Sequence, residues 1–206
     1  IRPSPRQLQF ITDRVGGAPW AVVPTYLNPS EGISIAPWAP GVSLYDWLAA
    51  YHGDLATLAQ DVTRVAQDLV GLLRQLADAG IEHGDLKTPS VIRATDGSLR
   101  LIDWEHADAL TPIRRLEDTE DVFESLAGWF WETARHMASG TEEARKKIRE
   151  LHTLLQIEGT HEDWPVLQRH LDALAGWFSQ HRDALNAPAA RHQDAVYVHV
   201  GPVAHP

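Results

Sequence analysis

The chain contains no cysteine and only three lysines, Lys87, Lys146 and Lys147. The first absence excludes a disulfide framework and any thiolate metal site, and it suits a reducing compartment, so a cytoplasmic location is expected. The second bears on partners. Lys and Arg number 18 against 28 Asp and Glu, a formal net charge of −10. Phosphate backbones and anionic membranes are held by clustered cations, so neither nucleic acid nor a charged bilayer is an expected partner. No apolar run approaches the ~18 to 20 residues of a membrane span, and the N-terminus lacks a basic-then-apolar signal pattern. Eleven histidines are present, but none stands in H-E-x-x-H or a comparable ligand spacing; they are read as core or surface side chains. The chain opens on Ile1 without a methionine, and its start is read as a cut, a processing site or an incomplete gene model.

What is present is enough for one core, since a chain of 206 residues can bury roughly 70% of its unfolded surface. Leu58, Val62, Val65, Leu69, Leu72, Leu73 and Leu76 recur at three- and four-residue steps, the mark of a helix with one buried face. Asp54 or an adjacent residue is placed to cap it, and Leu44 to Tyr51 reads as a shorter helix before it. Ala21–Pro24 and Ile33–Ala36 read as strands around the turn-rich Asn28–Gly32. Gly16-Gly17 is read as a turn. Further helices are expected over Asp121–Gly128 with Val122, Leu126, Trp129 and Phe130 inward, over Thr141–Leu155 and over Trp164–Leu185. In the last of these Trp164, Leu167, His170, Leu171, Leu174, Trp177 and Phe178 form the stripe. Ala195–Val200 reads either as a strand or as an unstructured tail.

Chemistry is legible in one stretch, Leu76 to Ala107. Gly80 can take the left-handed conformation just past a helix end. A polar segment, His83 to Ser90, follows. Val91–Ala94 and Leu99–Ile102 then flank Thr95-Asp96-Gly97-Ser98, and Asp-Gly between apolar runs signals a hairpin. Asp85 and Asp103 are thereby delivered at either side of a hairpin, facing one cleft.

His83-Gly84-Asp85-Leu86-Lys87 and Leu101-Ile102-Asp103-Trp104-Glu105 resemble the H-R-D-L-K and D-F-G elements of the protein-kinase-like superfamily. The H-G-D and I-D-W-E forms are closest to its aminoglycoside- and choline-kinase-type phosphotransferases. The resemblance implies an α+β fold: a mostly helical C-terminal lobe with a few N-lobe strands and a catalytic-loop hairpin. Residues 1–40 would be remnant N-lobe strands and hinge, 41–188 the helical lobe and 189–206 a tail. It implies ATP and Mg2+ as cofactors, with Asp85 orienting an acceptor hydroxyl and taking its proton, Asp103 holding the metal and Lys87 near the transferred phosphate. His83 would be a packing and hydrogen-bonding residue, and Asp121 would support the catalytic loop.

Ser34–Leu44, by itself a loop leaving an edge strand, resembles the kinase hinge. The Pro37 carbonyl and the Ala39 N–H would then grip adenine, above Ile92 as an apolar floor. Where the family has a second metal-binding Asn, five residues after the catalytic Asp, this chain has Ser90. A hydroxyl can ligate magnesium but is a different ligand from an amide.

A Gly-rich loop, a strand lysine and its helix glutamate cannot be placed, because no lysine precedes Lys87. Two functions follow as expectations. One is an ATP-dependent phosphotransferase, which both aspartates favour. The short segment after Glu105 tilts its acceptor towards a small molecule, and Lys87 tilts it towards a protein. The other is a catalytically inactive pseudokinase serving as a binding or scaffold module, which the missing lysine and Ser90 favour.

Overall fold

The computed structural model describes residues 4–28, 33–137, 142–156 and 164–186. The tail segment Ala195–Val200 and most of the turn before Ile33 lie outside them. The described residues form helices α1 (Pro5–Val15), α2 (Leu44–Ala49), α3 (Leu55–Asp78), α4 (Pro112–Met137), α5 (Glu142–Leu155) and α6 (Trp164–Asn186). Their strands are β1 (Tyr26–Asn28), β2 (Ile33–Ile35), β3 (Gly41–Ser43), β4 (Ile81–Glu82), β5 (Val91–Ala94), β6 (Leu99–Leu101) and β7 (Asp108–Ala109). The class is α+β, helix-rich with small antiparallel sheets.

The core is built on α3. Asp54 caps it, its carboxylate accepting from Thr57 N at 2.8 Å, and beyond Asp78 the chain turns through Gly80 at φ +66°. Every residue of the expected stripe is buried, and so are Ala56, Ala59, Thr63, Ala66 and Val70. The buried face is wide because α4 and α6 both pack on it, and alanines let them approach. Thr63 returns its hydroxyl to the Ala59 carbonyl at 2.8 Å, so its polar atom is satisfied in the core. From α4, Val122, Phe123, Leu126 and Phe130 join the same cluster. Trp129 is only partly buried and meets the Tyr45 ring edge-on at 4.4 Å. Leu171, Leu174 and Trp177 of α6 are buried; the side chains of Trp164 and Leu167 lie outside the described ones.

The hairpin of β5 and β6 forms as expected. Asp96 accepts from Ser98 N at 2.9 Å and Ser98 Oγ at 2.6 Å, with Gly97 at φ +85°. One strand within the 34–44 segment was not expected: β3 adds to this hairpin, pairing Gly41 with Ala94 and Ser43 with Ile92. Ser43 then caps α2, accepting from Asp46 N at 3.0 Å, which fixes where the sheet hands over to the helix.

The first forty residues depart most from expectation. α1 has too short a buried face, Ile11 and Val15, to announce itself by periodicity. Its signal is local: Ser4 and Gln7 form a reciprocal capping box, with Pro5 in the first turn. Ala21–Pro24 is not a strand. Val22 N donates to Leu101 O at 2.9 Å and Leu101 N to Trp20 O at 2.7 Å, but Pro19 and Pro24 flank this bridge and offer no N–H to extend it. Pairing resumes at β1, whose Tyr26 lies opposite Ile35.

Candidate functional site

The His83–Ser90 loop hangs from β4 and is fixed by one buried carboxylate. Asp118 accepts from His83 N at 2.6 Å and from Gly84 N at 2.9 Å. The support expected of Asp121 therefore comes from Asp118. α4 begins earlier than Asp121, and the two residues are three apart on adjoining faces, so sequence placed the contact one turn too late. Thr88 is held from the same helix: its N donates to Ser125 Oγ at 3.2 Å, and the two hydroxyls lie 2.8 Å apart.

Gly84 is obligatory at its position. It sits at φ +80°, and a Cβ there would lie 2.4 Å from the His106 carbonyl oxygen. Its small size lets the Asp85 loop press directly against the chain that leaves Asp103. The seam is hydrogen-bonded as well. His83 Nε2 lies 2.7 Å from Ile102 O, and Ile102 N donates to Ser90 O at 3.0 Å. Nε2 donates to this carbonyl, and burial holds the imidazole pKa below its usual value.

Asp103 is the one non-glycine described residue with positive φ, at φ 63° and ψ 56°. That conformation costs about 1 to 2 kcal/mol. It persists because the next residue is anchored: Trp104 is buried, donates Nε1 to Val22 O at 3.1 Å, and has the His83 ring 5.1 Å away. The Asp103 carboxyl is exposed yet has enough protein around it to raise its pKa, first by burial and then by the charge of Asp85. Asp103 thus lies within reach of the Asp85 charge. Asp85 is shifted the opposite way, held low by a hydrogen bond from Lys87 Nζ at 2.6 Å. The same contact raises Lys87.

A cleft of about 650 Å3 has Pro37, Ala39, Ile92 and Asp103 in its lining, together with Trp38 and Glu105. Four of the expected residues are therefore brought together. Asp85 and Lys87 stand outside this lining; Lys87 opens on an adjoining hollow of about 630 Å3 with Asp121, Ser125 and Trp129. Ser90 is buried, its hydroxyl donating to the Asp85 carbonyl at 3.2 Å, and it does not line the cleft. Among the described residues no group of three or more His, Asp or Glu side chains gathers as a metal cage. The carboxylates of Asp103 and Glu105 on one cleft fit magnesium, which takes one or two carboxylates and fills its shell with water and phosphate oxygens. Sequence reasoning passed over Gln7, Asp118 and Glu105; the capping box and the I-D-W-E run were the signals for the first and last.

Asp118 also gives a pH test. Burial pushes its pKa from 3.8 up to about 6, against the pull of its two N–H bonds. A raised folded-state pKa means that the native protein binds the proton more tightly. The stability so gained is present below about pH 4 and is lost as pH rises through 6. Wild type is expected to lose about 2 kcal/mol of stability relative to Asp118→Asn between pH 4 and pH 7. His83 acts oppositely, weakening the fold as pH falls, but it is common to both proteins and cancels. Urea unfolding across that range checks it; a constant gap would contradict the assignment.

No family model and no curated protein matches this chain. Among the described residues no helix is long and apolar enough to cross a membrane.

Proposed function

We propose that this chain is the helical part of an ATP-dependent phosphotransferase of the protein-kinase-like type, acting on a hydroxyl acceptor, with a small molecule favoured over a protein. The observation that carries the reading is the seam between two acidic loops. It sets the charge of Asp85 near enough to help raise the pKa of Asp103, which lines a cleft shared by Pro37, Ala39 and Ile92. Phosphoryl transfer is mainly positioning and charge neutralisation, so a metal-binding carboxylate and a second one for the nucleophile are the minimum set. Magnesium-bound ATP would supply the phosphoryl group. The chain supplies the rest. Asp103, with Glu105 near it, holds the metal; Pro37 O and Ala39 N offer an acceptor and a donor to a base over Ile92. Asp85 orients the acceptor hydroxyl and receives its proton. Lys87, paired with Asp85, keeps that carboxylate ionised and places a cation beside the transfer path.

A second reading, an inactive nucleotide-binding or scaffold module, draws on Ser90, whose hydroxyl bonds the Asp85 backbone carbonyl and does not line the cleft. Thermal unfolding with Mg-ATP, followed by an assay for nucleotide hydrolysis or transfer, separates the two. At about 100 times Kd, binding adds ~2.7 kcal/mol, a rise in Tm of roughly 5 to 10 °C for a chain of this length. A rise with turnover supports the phosphotransferase, and a rise without turnover supports the inactive module. No rise at millimolar nucleotide rejects the nucleotide site altogether.

A further inference from the structure

We propose that α1 is a strap that fixes the spacing of the two acidic loops, with Gln7 and Arg14 as its positioning residues; their functional consequence rests on the phosphotransferase reading above. At one end Gln7 Nε2 donates to Glu105 O at 3.0 Å and to Ala107 O at 2.8 Å. Those carbonyls belong to the segment leaving Asp103. At the other end Arg14 Nη1 donates to Ala79 O at 3.3 Å and Gly80 O at 2.9 Å. They close α3, where the last carbonyls lack helical partners, and lead directly into β4 and the Asp85 loop. Seven residue steps along the helix separate the two grips, a rod of about 10 Å. It is pinned between them by Ile11, which is wholly buried.

Besides the seam at Ile102, the loops are joined on this side by short pairing: β4 meets β7 over two residues, and Leu110 N reaches Gly80 O at 3.1 Å. α1 spans the outside of that joint. A residue that must serve two carbonyl oxygens needs two hydrogens on one atom, which an amide provides and a carboxylate does not. Gln7 meets that need while its Oε1 accepts from Ser4 N at 3.3 Å. A glutamate would fill the capping role equally well but would turn negative charge towards the two carbonyls. Gln7→Glu therefore separates capping from strapping.

The experiment compares the full wild-type chain with Gln7→Glu and Arg14→Ala. Amide hydrogen exchange is followed without nucleotide. Nucleotide binding is then titrated with Mg2+, with ATP in excess chelator as the metal-free control. In Gln7→Glu, exchange across 102–109 is expected to accelerate about tenfold, as the loss of one to two neutral hydrogen bonds allows. The Mg2+ needed for half-saturation should rise by a similar factor, while metal-free ATP affinity and helix content stay unchanged. Arg14→Ala should loosen 79–85 instead. Unchanged exchange at 102–109, acceleration spread evenly over the chain, or loosened exchange with an unchanged Mg2+ requirement would overturn the strap. A wild-type chain that binds no Mg-ATP removes the phosphotransferase reading, and the exchange data still decide whether α1 fixes the loops.

Discussion

Asp103→Asn is expected to lower Mg-dependent nucleotide affinity by about a hundredfold or more while leaving the fold intact. Removing a carboxylate from a magnesium site takes away the charge that holds a hard cation, and altering even an outer partner of a metal ligand costs about 10- to 100-fold. The fold should survive because Asn tolerates the left-handed conformation at this position better than almost any other residue. Trp104, which anchors the turn, is untouched. The raised pKa of Asp103, caused by burial and the nearby charge of Asp85, adds a second signature. Protons and metal compete for the same oxygens, so wild-type Mg2+ affinity should fall as the solution is acidified towards and below that pKa. Calorimetric titration of both proteins with Mg-ATP checks the claim. Equal affinities would remove Asp103 from the metal site, and a Tm lowered by more than about 2 °C would point to damage to the turn.

Gly84→Ala carries the largest expected structural effect. The substitution forces a left-handed backbone on a residue with a Cβ, at about 1 to 2 kcal/mol. The new carbon would sit 2.4 Å from the His106 carbonyl oxygen, so backbone must move; overpacking of this kind costs about 1 to 3 kcal/mol more. A loss of about 3 kcal/mol, or roughly 6 to 12 °C in Tm, is expected. Because the clash lies on the seam between the loops, nucleotide binding should fall further than stability alone accounts for. A variant with wild-type Tm would show that the seam opens freely.

The site was readable where local chemistry and spacing agree. Asp54 and Gly80 bracket α3, Asp96-Gly97 closes the hairpin, and Asp85 and Asp103 fall on loops whose ends those elements fix. What could not be read is what depends on tertiary contact. Asp118 and Asp121 are equivalent acids on one helix until the packing of α4 chooses between them. β3 exists because the β5 edge is there to receive Gly41–Ser43. The Ala21–Pro24 run has the composition of a strand, but prolines on both sides confine it to a two-bond bridge. α1 was hidden for the opposite reason, since its hold on the molecule is polar and hydrophobic spacing registers only Ile11 and Val15.

Ile102 has both backbone groups committed to the opposite loop, its carbonyl to the His83 ring and its N–H to Ser90. This part of the cleft lining is therefore tied to the Asp85 loop by two bonds. The facing rim is different: residues 36–40 adopt neither helix nor strand, and Trp38 stands 85% exposed. That rim is therefore the wall of the cleft least tied to the rest of the fold.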